Sequence, residues 1–166
     1  MDSIVSNLAI GLLNKSVADE LSAIHQYMYF HLHLEDQGLG PLAQLFKQTA
    51  IIEMGHVETL AERILFLKGE VEMAPSTPVE KITDPAAMLA KAIEMEKASA
   101  NDYNRAGQEC GARADAGSKQ IFEELVGDEE AHQGRFEKQL ESIQRFGPAY
   151  LALQSFGNVD PSNPGA

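Results

Sequence analysis

The chain has 166 residues, of which 44% are apolar, and this composition suits one folded domain and excludes wholesale disorder. Its 13 basic and 25 acidic residues give a net charge of −12, which argues against nucleic acid and anionic membranes as partners because both favour basic surfaces. A single cysteine, Cys110, excludes an internal disulfide framework. No uncharged apolar run approaches the ~20 residues of a membrane span, and the first residues lack a secretory pattern, so we expect a cytoplasmic protein.

Glycine and proline divide the chain into four long blocks, with breaks at 38–41, 69–85, 111–117 and 147–148. Within each block apolar residues recur at intervals of three, four or seven, which predicts four helices and no strands. Helices with apolar stripes can bury them only against one another. The sequence therefore predicts an all-α four-helix bundle.

The connection between the second and third predicted helices is much longer than the others, at about 15 residues. A connection of that length can cross the bundle from end to end, whereas the short ones join antiparallel neighbours. A short fifth helix is predicted over 148–156. We expect one domain over 1–156 and a disordered tail over 157–166, which is polar and rich in proline.

Every apolar stripe of the bundle contains a glutamate, and the second and fourth stripes add a histidine three positions later. The six residues are Glu20, Glu53, His56, Glu96, Glu129 and His132. Buried carboxylates are costly unless they are paired or bound to metal, and no Lys or Arg occupies these stripes near the acids. The expected partner is therefore a cation.

Two glutamates compete for the inward position on the third helix. Glu94 and Glu96 are two residues apart, so about 200° separates them around the helix and only one can face the core. Glu96 shares its face with Leu89, Ala100 and Tyr103. We therefore predict that Glu96 faces inward and that Glu94 is solvated.

The two halves of the chain repeat one plan. Glu53 follows Glu20 by 33 residues, Glu129 follows Glu96 by the same interval, and each second glutamate begins a Glu-x-x-His sequence. That spacing puts glutamate and histidine on one helical face. Two halves related by a pseudo-twofold axis would supply two metal positions bridged by two carboxylates, and such mixed ligation suits iron or manganese.

Three stretches carry a family resemblance: ADELSAIHQYMYFH at 18–31, IIEMGHVETLAERILFLKGE at 51–70 and GDEEAHQGRFEKQLESIQRFG at 127–147. From about Val5 to Gln154 the sequence resembles the bacterioferritins of the ferritin-like di-iron superfamily. The resemblance implies a ferritin-like bundle and ferroxidase activity, in which O₂ or H₂O₂ oxidises Fe(II) at a di-iron centre within the subunit. The product would be stored as ferric mineral.

The same resemblance implies partners and ligands. It implies a hollow homo-oligomeric shell of 24 subunits, built from twofold dimers, and a redox partner for iron release. The di-iron ligands of the family fall on the six stripe residues, and Glu53 and Glu129 would bridge the metals. At Gln48 and Ile52 the sequence departs from members that carry a histidine and an aspartate there as an extra iron site, which argues against an internal electron relay.

Tyr27 and Met54 are two further candidate site residues. Tyr27 follows Glu20 by two turns on the same face, so it is either a tyrosine that acts beside the metals or an ordinary core residue. Met54 points about 130° away from the metal-facing direction. It is either an apolar filler of an interface or, as the resemblance implies, an axial ligand of haem b at the dimer twofold, with one methionine from each subunit.

A dimer face is predicted beside Met54. Six apolar residues flank the inner stripes of the first two helices: Leu21, Met28, Leu32, Met54, Ala61 and Leu65. Such a patch on an acidic protein is typical of an interface. The remaining histidines are expected at the surface or in an interface: His25, His31 and His33.

Three alternative functions remain. A rubrerythrin-like peroxidase normally carries a CxxC iron centre, which one cysteine cannot supply. A Dps-type mini-ferritin places its iron site between subunits, whereas all six candidate ligands lie in this one chain. A non-catalytic haem-binding shell or plain helical scaffold would leave the acids facing solvent.

Overall fold

The computed structural model describes residues 3–156, which form five helices. They are α1 (Ser3–Asp36), α2 (Gly40–Phe66), α3 (Pro85–Ala112), α4 (Ala116–Phe146) and α5 (Pro148–Ser155). Within these residues there is no strand, and no helix is long and apolar enough to cross a membrane. The predicted all-α bundle with a short fifth helix is confirmed. The predicted tail, 157–166, lies outside the described residues.

A long crossover joins two antiparallel helix pairs. α1 packs along α2 and α3 packs along α4, and residues 67–84 connect the pairs. The crossover runs beside α1: the Asn14 side chain donates to the carbonyl of Glu70 at one end, and the Gln37 side chain donates to that of Thr83 at the other, both at 2.9 Å. The connection therefore spans most of the length of α1, as its length predicts.

Two aspartates start the helices of the second pair. Asp84 caps α3 by accepting a hydrogen bond from the amide of Ala87 at 2.8 Å, and Asp115 caps α4 by accepting from that of Ser118 at 3.1 Å. Asp115 also lies 2.7 Å from Nη2 of Arg63 on α2. This ion pair, in which the Asp115 side chain is 2% and the Arg63 side chain 15% exposed, ties the end of α2 to the start of α4.

The hydrophobic core is divided into two clusters. One contains Tyr27, Phe46 and Phe136, and the other contains Leu13 and Phe122. Along each of the four long helices, the candidate metal ligands lie between residues of one cluster and residues of the other. The polar residues therefore form a layer across the middle of the bundle, with apolar packing on both sides.

Two details of the predicted surface differ in the structure. His31, expected at the surface or in an interface, is 8% exposed within the subunit, and its Nδ1 lies 3.0 Å from the carbonyl oxygen of Ala43, because the start of α2 packs over it. In the predicted dimer face Leu32 is 60% exposed. Leu21 and Met28 are half-buried and also pack against the core, so they serve the bundle as well as the surface.

The Asp115–Arg63 pair should stabilise the fold more than an exposed cap does. Asp115→Ala should lower the free energy of unfolding by more than the roughly 1 kcal/mol of an ordinary N-cap, since it also removes the carboxylate partner of Arg63. The exposed cap variant Asp84→Ala is the matched control. Thermal denaturation followed by circular dichroism compares the two, and equal losses would contradict a stabilising pair.

This contribution should also depend on pH. Burial opposes ionisation of Asp115, but hydrogen bonds from Ser118 and the Arg63 guanidinium outweigh it and lower the pKa of Asp115. A lowered pKa means that the stabilisation is complete at neutral pH and is lost as the pH falls below about 4. The stability difference between wild type and Asp115→Ala should shrink over that range.

Candidate metal centre

The structure brings all six candidate ligands into the polar layer at the middle of the bundle. Each is at most 5% exposed: Glu20, Glu53, His56, Glu96, Glu129 and His132. The rival residue Glu94 has a side chain that is 74% exposed and lies 3.5 Å from Nζ of Lys91. Of these two rival glutamates, the inward one is therefore Glu96.

The six residues form two overlapping groups. In each group every residue offers one ligand atom, and these atoms lie within 4.8 Å of one another. The first group is Glu20, Glu53, His56 and Glu129, and the second is Glu53, Glu96, Glu129 and His132. Glu53 and Glu129 belong to both groups, which is the arrangement expected of two metal positions that share two carboxylates.

Both histidines direct Nδ1 at the carboxylates. Nδ1 of His56 lies 2.7 Å from Oε2 of Glu53, 3.1 Å from Oε1 of Glu129 and 3.2 Å from Oε1 of Glu20. Nδ1 of His132 lies 3.0 Å from Oε1 of Glu53. Both histidines therefore approach the shared carboxylate of Glu53 through Nδ1.

Most of these close approaches have ion-pair distances without the angles of hydrogen bonds. Among the residues that the structure describes, five buried ligand atoms consequently have no hydrogen-bond partner: Oε1 and Oε2 of Glu53, Oε2 of Glu96, Oε1 of Glu129 and Nδ1 of His132. Buried polar atoms without partners are rare in folded proteins. Because their lone pairs converge in two places, these residues fit a pair of divalent cations.

Two tyrosines contact the outer glutamates, Glu20 and Glu96, which each belong to one group only. The hydroxyl of Tyr27 donates a hydrogen bond to Oε1 of Glu96, and that of Tyr103 donates to Oε1 of Glu20. Tyr27 therefore lies beside the candidate ligands and is also a fully buried member of the apolar core. Tyr103 was predicted to share the inward face of Glu96 but not as a site residue, although it follows Glu96 by the same seven residues that separate Tyr27 from Glu20.

Burial and crowding of like charges change the acidity of the layer. Burial, with the nearby carboxylate of Glu53, raises the pKa of Glu20 to about 8, and burial raises the pKa of Glu129 to about 11. Burial would lower the pKa of His132, but the carboxylates of Glu53 and Glu96 outweigh it and raise this pKa to about 9. Without a metal the layer therefore binds protons at neutral pH.

Two other residues extend the site to its surroundings. Nε2 of His56 lies 3.3 Å from Oδ2 of Asp128, an exposed residue that the stripe pattern could not identify. Met54 is 51% exposed. It therefore lies outside the layer, in agreement with the direction predicted for it.

A helical bundle whose core holds two carboxylate–histidine groups with two shared glutamates defines a ferritin-like protein of the di-metal type. The family model that matches the chain is the ferritin-like domain, over residues 10–146. The chain is 35% identical over 152 residues to the bacterioferritin of Rhodobacter capsulatus, covering 91% of this chain and 94% of that one. It therefore belongs to the bacterioferritin family.

The chain is also similar to a bacterioferritin from an organism whose bacterioferritin has a crystal structure. The chain is 37% identical over 147 residues to the bacterioferritin of Desulfovibrio desulfuricans, covering 86% of this chain and 80% of that one. The fold of this chain matches the crystal structure of a D. desulfuricans bacterioferritin with a TM-score of 0.91 and 32% identity. The match covers 99% of this chain and 94% of that one. That crystal structure describes the diiron site of its protein in different catalytic states.

Metal binding should release protons. A ligating carboxylate must be ionised and a ligating imidazole must lose the proton at Nδ1, whereas Glu20, Glu129 and His132 have raised pKa values. Zn²⁺, which has no redox chemistry, should therefore bind with proton release at pH 7, and its affinity should rise as the pH rises from 6 to 8. Calorimetry in buffers of different ionisation enthalpy measures the release.

The surface variant Glu94→Gln is the control for this experiment and should release the same number of protons as wild type. Binding of Zn²⁺ with no proton release, or with an affinity that falls as the pH rises, would contradict the assignment of these protons to the layer.

Proposed function

We propose that this protein oxidises Fe(II) to Fe(III) and stores the product as ferric mineral, with O₂ or H₂O₂ as the oxidant. The observation that carries the proposal is the pair of buried carboxylate–histidine groups that share Glu53 and Glu129. Their atoms without hydrogen-bond partners suit two divalent cations. The diiron site of the D. desulfuricans relative supports iron as the metal.

The residues of the layer have distinct tasks in this proposal. Glu53 and Glu129 hold both Fe(II) substrates, while Glu20 with His56 and Glu96 with His132 each hold one. Four carboxylates balance the charge of two divalent cations, which compensates for burial in a poorly polarisable interior. Two bound Fe(II) ions can together supply two electrons to one oxidant molecule.

The tyrosines act on the ligands. By donating hydrogen bonds to one oxygen of Glu20 and of Glu96, Tyr103 and Tyr27 leave the other oxygen of each carboxylate for iron. Burial and the adjacent glutamates raise both tyrosine pKa values well above the ordinary value of 10. The hydroxyls therefore stay protonated at neutral pH and remain donors.

Loss of a shared glutamate should abolish the reaction. Glu53→Ala and Glu129→Ala each remove a ligand from both metal positions, so rapid Fe(II) oxidation should fall by at least about 100-fold, as when an essential catalytic group is lost. Stopped-flow absorbance of Fe(III) formation measures the rate. Both variants should still fold, because each removes a buried acid from a crowded layer between two intact apolar clusters.

Glu94→Ala is the matched control, since Glu94 is a solvated glutamate on α3, and it should oxidise Fe(II) at the wild-type rate. Unchanged rates in Glu53→Ala and Glu129→Ala would refute the proposed centre. A wild-type protein that oxidises no more than two Fe(II) per chain would instead indicate a non-catalytic shell.

We also propose that the chain assembles into a hollow homo-oligomeric shell of 24 subunits built from twofold dimers. Large apolar side chains are exposed along α1 and α2: Leu32, Ile51, Met54, Leu65 and Phe66. A subunit with a net charge of −12 repels its copies, so apolar area must drive assembly. An acidic inner surface would attract Fe²⁺, and a separate redox partner would return electrons for iron release.

We propose in addition that the protein binds haem b and that Met54 would be its axial ligand. The thioether of Met54 is exposed on α2 beside Ile51, which is 54% exposed, and one methionine from each subunit of a twofold dimer would complete the pair. When bound, such a haem supplies one-electron transfer, and thioether ligation raises its potential. Half-buried Leu21 and Met28 on α1 fit the apolar walls of this site.

Haem binding should depend on Met54. After reconstitution with haemin, wild type should give the spectrum of a bis-thioether haem, and Met54→Leu, which keeps the apolar volume, should not. Met73→Leu is the control, because Met73 is 63% exposed but lies in the crossover. Equal haemin spectra in wild type and Met54→Leu would exclude Met54 as the ligand.

A further inference from the structure

The two halves of the candidate centre correspond residue by residue. Four residues of the first half each have a counterpart of the same type 76 positions later in the chain. The pairs are Glu20 and Glu96, Tyr27 and Tyr103, Glu53 and Glu129, and His56 and His132. The tyrosine contacts correspond as well, because each tyrosine donates to the unshared glutamate of the opposite half. By these contacts alone the two metal positions would be equivalent.

The residue before each shared glutamate breaks this symmetry. Asp128 precedes Glu129, whereas its counterpart before Glu53 is Ile52. Oδ2 of Asp128 lies 3.3 Å from Nε2 of His56 and accepts its hydrogen bond. Among the described side chains, the ionic contacts of His132 are all made through Nδ1, and none pairs with its Nε2.

A carboxylate on the far nitrogen changes how an imidazole binds metal. When Nε2–H donates to a carboxylate, the ring is held in one orientation and the lone pair of Nδ1 is left for the metal. The carboxylate also makes the imidazole a stronger base. Isoleucine has no polar atom, so Ile52 can do neither for His132.

We propose that the two metal positions are inequivalent, and that Asp128 is a positioning residue that strengthens the position containing His56. This inference rests on the proposed di-metal centre and adds an order of filling to it. Loss of a hydrogen-bond partner behind a metal-bound histidine costs roughly 10–100-fold in metal affinity. Below one metal ion per chain, the position of Glu20 and His56 therefore fills first, and the position of Glu96 and His132 fills second.

Cobalt(II) under anaerobic conditions tests the order without any iron oxidation. Calorimetric titration of wild type with Co²⁺ should show two binding events whose affinities differ by about 10-fold or more. Anomalous scattering from crystals loaded with one Co²⁺ per chain should be stronger beside His56 than beside His132. Equal affinities, or a stronger signal beside His132, would overturn the inference.

Variants at the two corresponding positions separate positioning from general charge. Asp128→Ala should weaken only the tighter event, by about 10-fold, and Asp128→Asn, which keeps an acceptor oxygen, should restore part of the loss. Ile52→Asp should strengthen only the weaker event. Glu130→Ala is the matched control, because Glu130 is an exposed acid on the same helix and its loss changes the charge equally. An equal effect of Glu130→Ala would overturn positioning.

Two further outcomes distinguish this inference from the proposed centre. Glu53 belongs to both metal positions, so Glu53→Ala should weaken both events. If wild type shows neither event, or if Glu53→Ala leaves both unchanged, the di-metal centre itself is refuted. If Asp128→Ala removes a third event and leaves the first two unchanged, Asp128 is a metal ligand of its own and the positioning role is wrong.

Discussion

Four carboxylates and two imidazoles buried in one layer of a helical bundle must have their charge balanced, because the interior screens charge poorly. Arg63, whose side chain is 15% exposed, is paired with Asp115 at the start of α4. Lys15 pairs with Asp19 and Asp102 at the surface. Protons or metal ions must therefore balance the negative charge of the layer. This requirement accounts for the raised pKa values of Glu20, Glu129 and His132 and for the ligand atoms without hydrogen-bond partners.

The apolar packing of the rest of the fold compensates for the cost of burying this layer. Apolar clusters on both sides hold the four helices together, so the layer itself need not contribute to stability. Each tyrosine links one cluster to the layer: the ring of Tyr27 packs against Phe46 and Phe136, and that of Tyr103 packs against Phe122. Their hydroxyls reach the glutamates from opposite sides, so rigid packing fixes the direction of flexible acids.

Helical periodicity predicts the bundle and the inward direction of the six stripe residues, because burial of a stripe repeats along the sequence, and the length of the second connection predicts the crossover. It could not identify contacts between helices at positions outside a stripe. Asp128 is exposed and meets His56 only because α2 and α4 pack side by side. The burial of His31 is a second contact of this kind. The start of α2 covers it, and nothing within α1 indicates this.

The 76-residue correspondence explains why one half of the chain can serve the subunit interface while both halves serve the metals. Positions that face the layer are alike in the two halves, whereas the outward positions differ. Ile52 and Met54 on α2 correspond to Asp128 and Glu130 on α4. An apolar outer face suits contact with a second subunit, and an acidic one suits contact with water and cations. Residues two positions apart point about 200° apart around a helix, so Met54 lies on the proposed dimer face and Ile52 lies on another side of α2. The two halves have therefore diverged on two sides: one change gives α2 its apolar dimer face, and the other leaves no acid before Glu53 to match Asp128 before Glu129.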